Sequence, residues 1–346
     1  ICDEYHERKA DMDLLFSFLL ALQKNKGNLR YKSAPRIAVM SAKLNRIEME
    51  NALGVKCLEL GHPLYPVQIL HQNPISGNTQ EAEVVKALRT LMLNNVWKTT
   101  LVFLPGKGEI TRCHNAAEES LGRNAAEYLD LFGGQERSIQ EKIFEETENP
   151  RVIFTTNIAE TSITVPKVSG VVDYGVERVS DFDDSEKVNV LRTVPISLQN
   201  AIQRSGRSGR TQNGCAIRLW SAEYEKRMPQ GIIPEITQID SAEFILQKTA
   251  LEESVGKLLL PTPIPENRET ASLKLLENLD LLKNGVITDL GKTAIETPLS
   301  SIPLAYILAT AQKGEDLPDL TLAAMAWIHS GTEYLQRSKS PLNLLT

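Results

Sequence analysis

The sequence predicts an α/β fold in which largely parallel, doubly wound sheets are followed by a smaller, helical region. Three observations support this prediction. Between about residues 80 and 227, short apolar runs rich in β-branched residues alternate with amphipathic helical stretches, which is the order that produces parallel sheets. Polar residues directly follow the apolar run at 151–156, at the edge where such sheets bind ligands. After Pro229 the sequence changes to amphipathic helices separated by short polar turns.

The first 75 residues are predicted to form the later part of one α/β domain. An apolar helix comes first, then a strand with the sequence RIAVMS that ends at Ser41, then a second helix and two short strands. The helices are expected at Asp13–Gln23 and Asn45–Leu53, and the short strands around Cys57–Leu60 and Val67–His71.

Residues 76–229 are predicted to form a second α/β domain, because helical and strand patterns alternate throughout this stretch. Residues 176–194 alternate with a period of two around the acidic segment DFDDSE, which predicts a β-hairpin with a long turn. The helices are expected at Glu81–Met92, Ile110–Ser120, Ser138–Glu145 and Leu198–Ser208, and the strands at Thr99–Leu104, Val152–Thr156, Gly170–Tyr174 and Cys215–Leu219.

The remaining residues are predicted to be mainly helical. A helix at Glu269–Lys283 carries a leucine stripe that is typical of core packing, and the following GVITDLGKTAIE is expected to form a short strand and a turn. Two further helices are expected at Pro303–Ala311 and Leu320–Ser330.

Composition indicates a globular protein of several domains. The chain has 346 residues, of which 42% are hydrophobic and 24% charged. Its four cysteines show no paired spacing, which favours a reducing, intracellular compartment (cytoplasm, nucleus or mitochondrion) over a disulfide framework or a zinc site. The longest apolar stretch, around residues 14–22, is too short to span a bilayer. The net charge of −6 argues against a broad electrostatic footprint for nucleic acid.

The segment QRSGRSGR at 203–210 sets three arginines three residues apart around two glycines. Residues three apart are neighbours on a helix, so Arg204, Arg207 and Arg210 are expected along one side of a helix. A glycine inside a helix costs about 1 kcal/mol relative to alanine, so Gly206 and Gly209 indicate a close neighbour. A polyanion is the predicted neighbour, because guanidinium groups bind phosphate oxygens bidentately. An isolated segment of this kind would instead favour a solvated, salt-bridged turn.

Two further polar motifs lie at predicted strand ends. TTNIAETSITV at 155–165 presents Asn157 and Glu160 after the strand at 152–156. DEYH at 3–6 follows the apolar residues Ile1 and Cys2. Its adjacent carboxylates, Asp3 and Glu4, suit Mg²⁺ binding and the activation of a water molecule. DEYH alone fits a helix N-cap as well.

Together, in this order and separation, these segments closely resemble the motifs of superfamily 2 helicases, specifically the DEAH-box (DEAH/RHA) group of RNA helicases. DEYHER corresponds to motif II, Ser41-Ala42-Lys43 to motif III, LVFLPGKGEI at 101–110 to motif IV, TTNIAETSITV to motif V and QRSGRSGR to motif VI. The resemblance implies tandem RecA-like domains at 1–75 (truncated) and 76–229 with the hairpin at 176–194, a winged-helix domain at 230–296 and the start of a helical ratchet domain at 297–346.

The resemblance implies an ATP-dependent RNA helicase that moves 3′ to 5′ on single-stranded RNA and remodels duplexes or ribonucleoproteins. ATP or another NTP and Mg²⁺ are the implied cofactors, and RNA and an activating protein are the implied partners, with no membrane. The implied site residues are Asp3, Glu4, His6, Gln203, Arg207 and Arg210 for catalysis, Asp3 and Glu4 for the metal, Phe144, Thr161 and Gly206 for the nucleotide, Thr156, Asn157, Ser162 and Arg178 for RNA, and Ser41 and Lys43 for coupling.

Some alternatives stay open at this point. Phe144 would stack on the base, although a phenylalanine beside Ile143 on an amphipathic helix also fits core packing. Lys43 stands where the group usually has threonine, so it could pair with a motif II carboxylate or weaken the coupling of hydrolysis to strand separation. A helicase-derived scaffold with impaired ATPase is the alternative function, and a DNA-directed motor is a further one. Because the chain begins with Ile at a functional motif, we expect preceding sequence with the phosphate-binding loop and no ATPase from these 346 residues alone.

Overall fold

The computed structural model describes residues 1–24, 35–41, 46–54, 56–59, 65–94, 98–145, 147–160, 163–185 and 188–296, with positions 302, 306 and 310. Contacts divide the chain into two units, a first unit of residues 1–40, 182–188 and 234–346 and a second unit of residues 41–181 and 189–233. The domain boundaries expected at residues 229 and 296 stay predictions, whereas the boundary at 75 conflicts with the pairing of the strand Val67–His71 in the sheet of the second unit. The helix expected at 320–330 lies outside the described residues, and of 303–311 only the helical positions 306 and 310 are described.

The helices and strands occur in the order that the sequence predicts for most of the chain. The elements are α1 (Ala10–Lys24), α2 (Arg46–Leu53), β1 (Val67–His71), α3 (Gln80–Leu93), β2 (Thr99–Phe103), α4 (Lys107–Leu121), β3 (Glu127–Leu131), α5 (Arg137–Phe144), β4 (Arg151–Thr155), β5 (Val168–Asp173), β6 (Val176–Asp183), β7 (Val188–Pro195), α6 (Leu198–Gly206), β8 (Gly214–Arg218), α7 (Ala222–Glu225), α8 (Ser241–Val255), α9 (Glu266–Asn278), β9 (Leu282–Lys283), β10 (Val286–Ile287) and α10 (Asp289–Glu296).

The second unit is built on a six-stranded parallel sheet with the order β1-β8-β5-β2-β4-β3. The four inner strands are buried along their whole length, whereas the edge strands β1 and β3 are buried only in part. Parallel strands covered on both faces are apolar throughout, which explains why the inner strands were easy to predict.

Successive residues of each inner strand contribute to two hydrophobic cores. Val102 of β2 and Phe154 of β4 belong to one core, and their neighbours Phe103 and Ile153 belong to the other. This alternation follows from the two-residue period of side chains in a strand. All four inner strands end at one edge of the sheet, where residues 104–106 lead from β2 into α4 and residues 156–160 follow β4.

The structure corrects two expectations about the sheet. The strand at Val67–His71, expected in the first domain, pairs in parallel with Gly214–Arg218 and forms an edge of the second unit's sheet. The strand Glu127–Leu131 was not predicted at all. It is an edge strand whose glutamate and aspartate interrupt the apolar pattern, and its place is set by pairing with β4.

The first unit has its own core, formed by α1, α8, α9, α10 and the β9–β10 ladder. The leucine stripe lies in this core: Leu276 and Leu282 are buried, and Leu273 and Leu279 pack against them. The predicted helix at 269–283 ends earlier, at Asn278, because Asp280 adopts a left-handed backbone with φ 52°. Residues 289–296, expected as a turn, form a helix.

The hairpin predicted at 176–194 is confirmed by the paired strands β6 and β7. Residues 36–41, predicted as a strand, contribute a single parallel bridge between Val39 and Cys2. Within the described residues, no helix has the length and apolar character that crossing a membrane requires.

His114 forms an ion pair on the outer part of the second unit. Its Nδ1 lies 2.7 Å from Asp130 Oδ1, and its Nε2 lies 3.7 Å from Glu118. The ring stacks on Phe154 at 5.5 Å between centroids. The hydrogen bond with Asp130 raises the pKa of His114, against a smaller opposing effect of burial, with Asp130 and Glu118 adding coulombic attraction.

The His114 pair should make stability depend on pH. A histidine whose folded pKa lies above its unfolded value stabilises the fold fully below the unfolded pKa, and this contribution is lost as the pH rises through the folded pKa. We therefore expect His114→Gln to cost about 1 kcal/mol more at pH 5.5 than at pH 8.5, since a charged hydrogen bond is stronger than a neutral one. Urea unfolding at both pH values measures this difference. In an Asp130→Asn background the difference should shrink to the smaller part that Glu118 contributes, and an undiminished difference there would contradict the assignment.

Candidate functional site

Helix α6 carries the start of the arginine segment. Ser197 caps the helix: its Oγ accepts a hydrogen bond from the Asn200 backbone at 3.1 Å, and its own N–H donates to Asn200 Oδ1 at 3.2 Å. The α-helix ends at Gly206, and residues 207–209 continue as a 3₁₀ turn. The expectation that the three arginines share one side of a single helix is therefore wrong, because the chain changes its winding between the first and the second arginine.

Arg204 is a structural residue at the centre of a buried ionic cluster. Its side chain is 1% exposed. Nε donates to Glu160 at 2.8 Å, Nη1 to Asp173 at 3.1 Å and Nη2 to Glu177 at 3.3 Å. The guanidinium also lies 5.1 Å from the ring centroid of Phe103. Arg204 thus joins α6 to the loop after β4, to the end of β5 and to the start of β6, and it is not a phosphate ligand as the sequence pattern suggested.

Within this cluster, Arg204 and the carboxylates strongly influence each other's pKa values. Burial lowers the pKa of the Arg204 guanidinium, but attraction by Asp173, Glu160 and Glu177 outweighs it, so the net pKa lies above the usual value. Burial raises the pKa of Glu177, and Arg204 offsets this only in part because Glu160 and Asp173 repel the same carboxylate. One cation therefore balances three carboxylates, and its removal would leave them buried together.

Arg207 and Arg210 lie beside the loop that follows β4. Arg207 is buried and donates from Nη1 to the Ile163 carbonyl at 2.8 Å. Arg210 is exposed, and its Nη1 lies 3.4 Å from Thr164 Oγ1. A guanidinium has five N–H donors, so the exposed Arg210 retains donors for a second acceptor such as a phosphate. Thr161 and Ser162, predicted in the same loop, lie outside the described residues.

The two glycines of the segment differ in the space available for a side chain. A Cβ on Gly209 would lie 2.6 Å from Val67 Cγ2 and 2.8 Å from the Tyr65 carbonyl oxygen. The close neighbour predicted at Gly209 is thus the protein's own β1 region and not a polyanion. A Cβ on Gly206 would meet nothing within 4 Å among the described atoms. Only Gly206 leaves an open backbone surface where a ligand could approach.

Gln203 has unused hydrogen-bonding capacity. Its Nε2 and Oε1 are both buried, and neither has a hydrogen-bond partner in the described part of the chain. Buried amide groups are nearly always satisfied, so this side chain suits contact with a ligand or a water molecule. The observation agrees with the role that the resemblance implies, beside the attacking water.

The carboxylates of motif II are presented by a tight turn in the first unit. Glu4 adopts a left-handed backbone with φ 50°, and its N–H donates to Asp3 Oδ1 at 2.9 Å. Asp3 and Glu4 are exposed, whereas His6 is buried with Nδ1 3.4 Å from Glu4 Oε2. The Tyr5 N–H donates to the carbonyl of Met40, the residue before Ser41. Lys43 lies outside the described residues.

The donor set at this turn fits Mg²⁺ only with further ligands. No group of three or more His, Cys, Asp or Glu side chains in the described ranges forms a complete metal site. Asp3 and Glu4 offer two exposed carboxylates, which suits an ion that is held jointly with nucleotide phosphates and water.

Hydrogen bonds of Arg8 and Glu235, which no sequence motif identified, stabilise the turn. Arg8 donates from Nη2 to Asp13 at 3.0 Å and to Thr262 Oγ1 at 2.8 Å. Its carbonyl accepts the Glu235 N–H at 3.0 Å, and Glu235 Oε2 accepts the Ala10 N–H at 2.8 Å. Thr262 and Glu235 lie more than 220 residues away in the chain, so no local signal could have identified them.

The remaining predicted residues are placed as follows. Phe144 ends α5 with 43% of its surface exposed, while Ile143 fills the core, so the core alternative for Phe144 is not what the structure shows. Thr156 precedes a 3₁₀ turn that begins at Asn157, whose side chain hydrogen-bonds to Glu177. Arg178 is bound within the second unit: its Nη2 lies 3.3 Å from Glu109, and its guanidinium occupies the space where Gly106 would carry a Cβ.

Comparisons with known proteins agree with these motifs. The family model "Helicase conserved C-terminal domain" matches residues 83–212. ATP-dependent RNA helicase HrpA of Escherichia coli is 29% identical over 327 residues, which cover 90% of this chain and 24% of HrpA. Probable ATP-dependent RNA helicase DHX40 of Homo sapiens is 30% identical over 350 residues, which cover 94% of this chain and 44% of DHX40.

A solved structure shares the fold. The crystal structure of the Escherichia coli DEAH/RHA helicase HrpB matches with a TM-score of 0.81 at 24% identity, covering 94% of this chain and 40% of that chain. The chain thus spans less than half the length of these three proteins. The motifs and these sequence relatives support a DEAH/RHA superfamily 2 helicase, and the structural likeness shows that the fold is shared.

Proposed function

We propose that the chain is part of an ATP-dependent RNA helicase, in which NTP hydrolysis drives movement on single-stranded RNA and remodelling of duplexes or ribonucleoproteins. One observation carries the proposal: Arg207 and Arg210 both hydrogen-bond to the loop after β4. The same loop begins with Thr156 and Asn157, the proposed RNA contacts. A displacement of this loop by RNA would therefore move the arginines proposed to bind the γ-phosphate.

The proposed hydrolysis assigns roles to residues of motifs II and VI. Glu4 orients and deprotonates the attacking water, and the unpaired amide of Gln203 suits contact with a water molecule. Arg207 and Arg210 stabilise the charge that develops on the transferred phosphoryl group. Asp3 and Glu4 would hold Mg²⁺, which neutralises phosphate charge when it is bound with the nucleotide.

RNA binding is proposed to depend on local geometry. The net charge of −6 gives no overall attraction for phosphates, so side-chain groups such as the Thr156 hydroxyl and the Asn157 amide would make the contacts. Phe144 is exposed and is proposed to stack on the nucleotide base.

We further propose a winged-helix domain at 230–296 and the start of a ratchet domain at 297–346. The succession of α8, α9, the β9–β10 ladder and α10 around one core supports the first of these. The second follows from the resemblance to the DEAH-box group.

The proposal predicts that the natural protein hydrolyses ATP, that single-stranded RNA stimulates this activity, and that Glu4→Gln lowers kcat by about 10² to 10⁴. The amide cannot accept a proton from water, but it preserves the shape of the side chain, so nucleotide binding should remain. Steady-state ATP hydrolysis and fluorescent-nucleotide titration measure the two quantities.

Glu223→Gln is the matched control, because it makes the same chemical change at an exposed position of α7. It should leave hydrolysis unchanged. Wild-type turnover by Glu4→Gln would refute the role of Glu4, and a wild-type protein that binds RNA without hydrolysing ATP would favour the scaffold alternative. Stronger stimulation by single-stranded DNA than by RNA would favour a DNA-directed motor.

A further inference from the structure

We propose that Arg268 is a positioning residue that anchors the tip of the β6–β7 hairpin, an inference that rests in its functional part on the proposed helicase activity. Arg268 lies in α9, and its side chain is 12% exposed. Its Nη2 donates to the Phe182 carbonyl at 3.0 Å, and its Nε donates to Asp184 Oδ2 at 3.2 Å. Both acceptors belong to the hairpin tip, which groups with the first unit.

The same guanidinium also binds the segment that leads into α8. Nη1 donates to the Thr237 carbonyl at 2.8 Å and approaches the Ile239 carbonyl at 3.4 Å. The Phe182 N–H donates to the Gln238 carbonyl at 2.7 Å, beside these contacts. Arg268 therefore clamps the tip strand and the 237–239 segment together, through several donors at once.

The β6–β7 hairpin needs contacts outside its own two strands to be stable. An isolated two-stranded ribbon is marginally stable in water, because it has no sheet or helix to cover its faces. The β6–β7 sheet contains these two strands alone among the described residues. The guanidinium also lies 5.9 Å from the Phe182 ring centroid, which adds a cation–π contact to the hydrogen bonds.

Only arginine can make this arrangement. Its planar fork presents five N–H donors in fixed directions, whereas lysine donates from a single nitrogen. The four acceptors surround the guanidinium on different sides and include three backbone carbonyls. A lysine at this position could keep the charge, but it could not span them.

We expect the Arg268 anchor to matter for the separation of a duplex. In the DEAH group a hairpin at this place lies against the nucleic-acid channel where the duplex parts, and the resemblance implies the same for β6–β7. Such a hairpin must resist displacement by the incoming strands, so a loose tip would yield while ATP hydrolysis continued. We expect Arg268→Ala to lower the amount of duplex separated per ATP several-fold, with RNA-stimulated hydrolysis nearly unchanged. A purely structural role would lower both activities in parallel.

The test combines hydrogen–deuterium exchange with a coupled assay on the natural protein. In Arg268→Ala, exchange of the Phe182 amide should rise about tenfold, because its hydrogen bond to Gln238 loses the neighbouring clamp. Lysine is closer than alanine to arginine in size and charge, so Arg268→Lys should show an intermediate rise in Phe182 exchange. This second variant keeps the test valid if Arg268→Ala does not fold. ATP consumed and 3′-tailed duplex separated are then measured in one reaction.

Lys292→Ala is the matched control, because it removes a cation from an exposed pair with Glu253 at 3.0 Å in the same unit. It should change neither exchange at Phe182 nor the ratio of duplex to ATP. Unchanged exchange in Arg268→Ala would overturn the anchor, and raised exchange with an unchanged ratio would overturn its role in strand separation. Absence of any wild-type ATPase or unwinding would refute the proposed function, while the exchange result would still decide on the anchor.

Discussion

Replacing Arg210 with alanine is expected to lower kcat for ATP hydrolysis by about 10³, because a guanidinium that stabilises a transferring phosphoryl group acts mainly in the transition state. The KM for ATP should change far less. Arg210 is exposed and makes one long hydrogen bond, to Thr164, so the free energy of unfolding should stay within about 0.5 kcal/mol of wild type. Steady-state kinetics and denaturant unfolding of the same preparation measure both quantities.

Arg123→Ala is the matched control for Arg210→Ala. Arg123 is an exposed arginine of the second unit, 84% accessible and 3.8 Å from Glu118. Its replacement removes the same charge and should leave kcat unchanged. Arg207→Ala should lower kcat like Arg210→Ala and should also cost about 1 kcal/mol of stability, since it loses the hydrogen bond to Ile163. If both arginine variants lose stability but keep their specific activity, the phosphate-binding assignment is wrong.

Replacing Arg204 with alanine is expected to destabilise the second unit by about 3 to 5 kcal/mol, which is the usual cost of removing one partner from a buried ion pair. Three carboxylates, from Glu160, Asp173 and Glu177, would be left together without a cation. Urea unfolding followed by the fluorescence of Trp220, which is buried in the same unit, measures the loss. Arg210→Ala serves as the control, six residues away in the same segment.

The Arg204→Ala defect should be smaller in acid. Burial and the other carboxylates raise the pKa of Glu177 even with Arg204 present. A carboxyl whose folded pKa is raised favours the folded state at low pH, and this contribution is lost as the pH rises through that pKa. Without Arg204 the effect grows, so the difference from wild type should shrink between pH 7.5 and pH 5. A defect that is independent of pH would mean that lost packing dominates, and not uncompensated charge.

Much of the second unit could be predicted because its signals are local. The run RVIFTT is apolar and β-branched, and the strand expected at Val152–Thr156 forms as the fully buried β4, one residue earlier at each end. Ser197 begins α6 through a cap that its own neighbours complete. In contrast, β3 was missed because EYLDL mixes apolar and acidic residues, as an edge strand can. The helix at 289–296 was missed because a threonine and a glycine make its sequence resemble a turn.

The sequence by itself determined the family motifs, the alternation of helices and strands, and the residue types that suit phosphate and metal chemistry, because these depend on neighbours a few positions away. Only the tertiary structure decided what each arginine and glycine of QRSGRSGR contacts. Arg204 is buried among carboxylates that lie between 27 and 44 residues away, and Gly209 is required by the approach of Val67. Such contacts come from the packing of distant segments, and a periodic spacing of identical residues carries no information about which of them faces the protein and which faces a ligand.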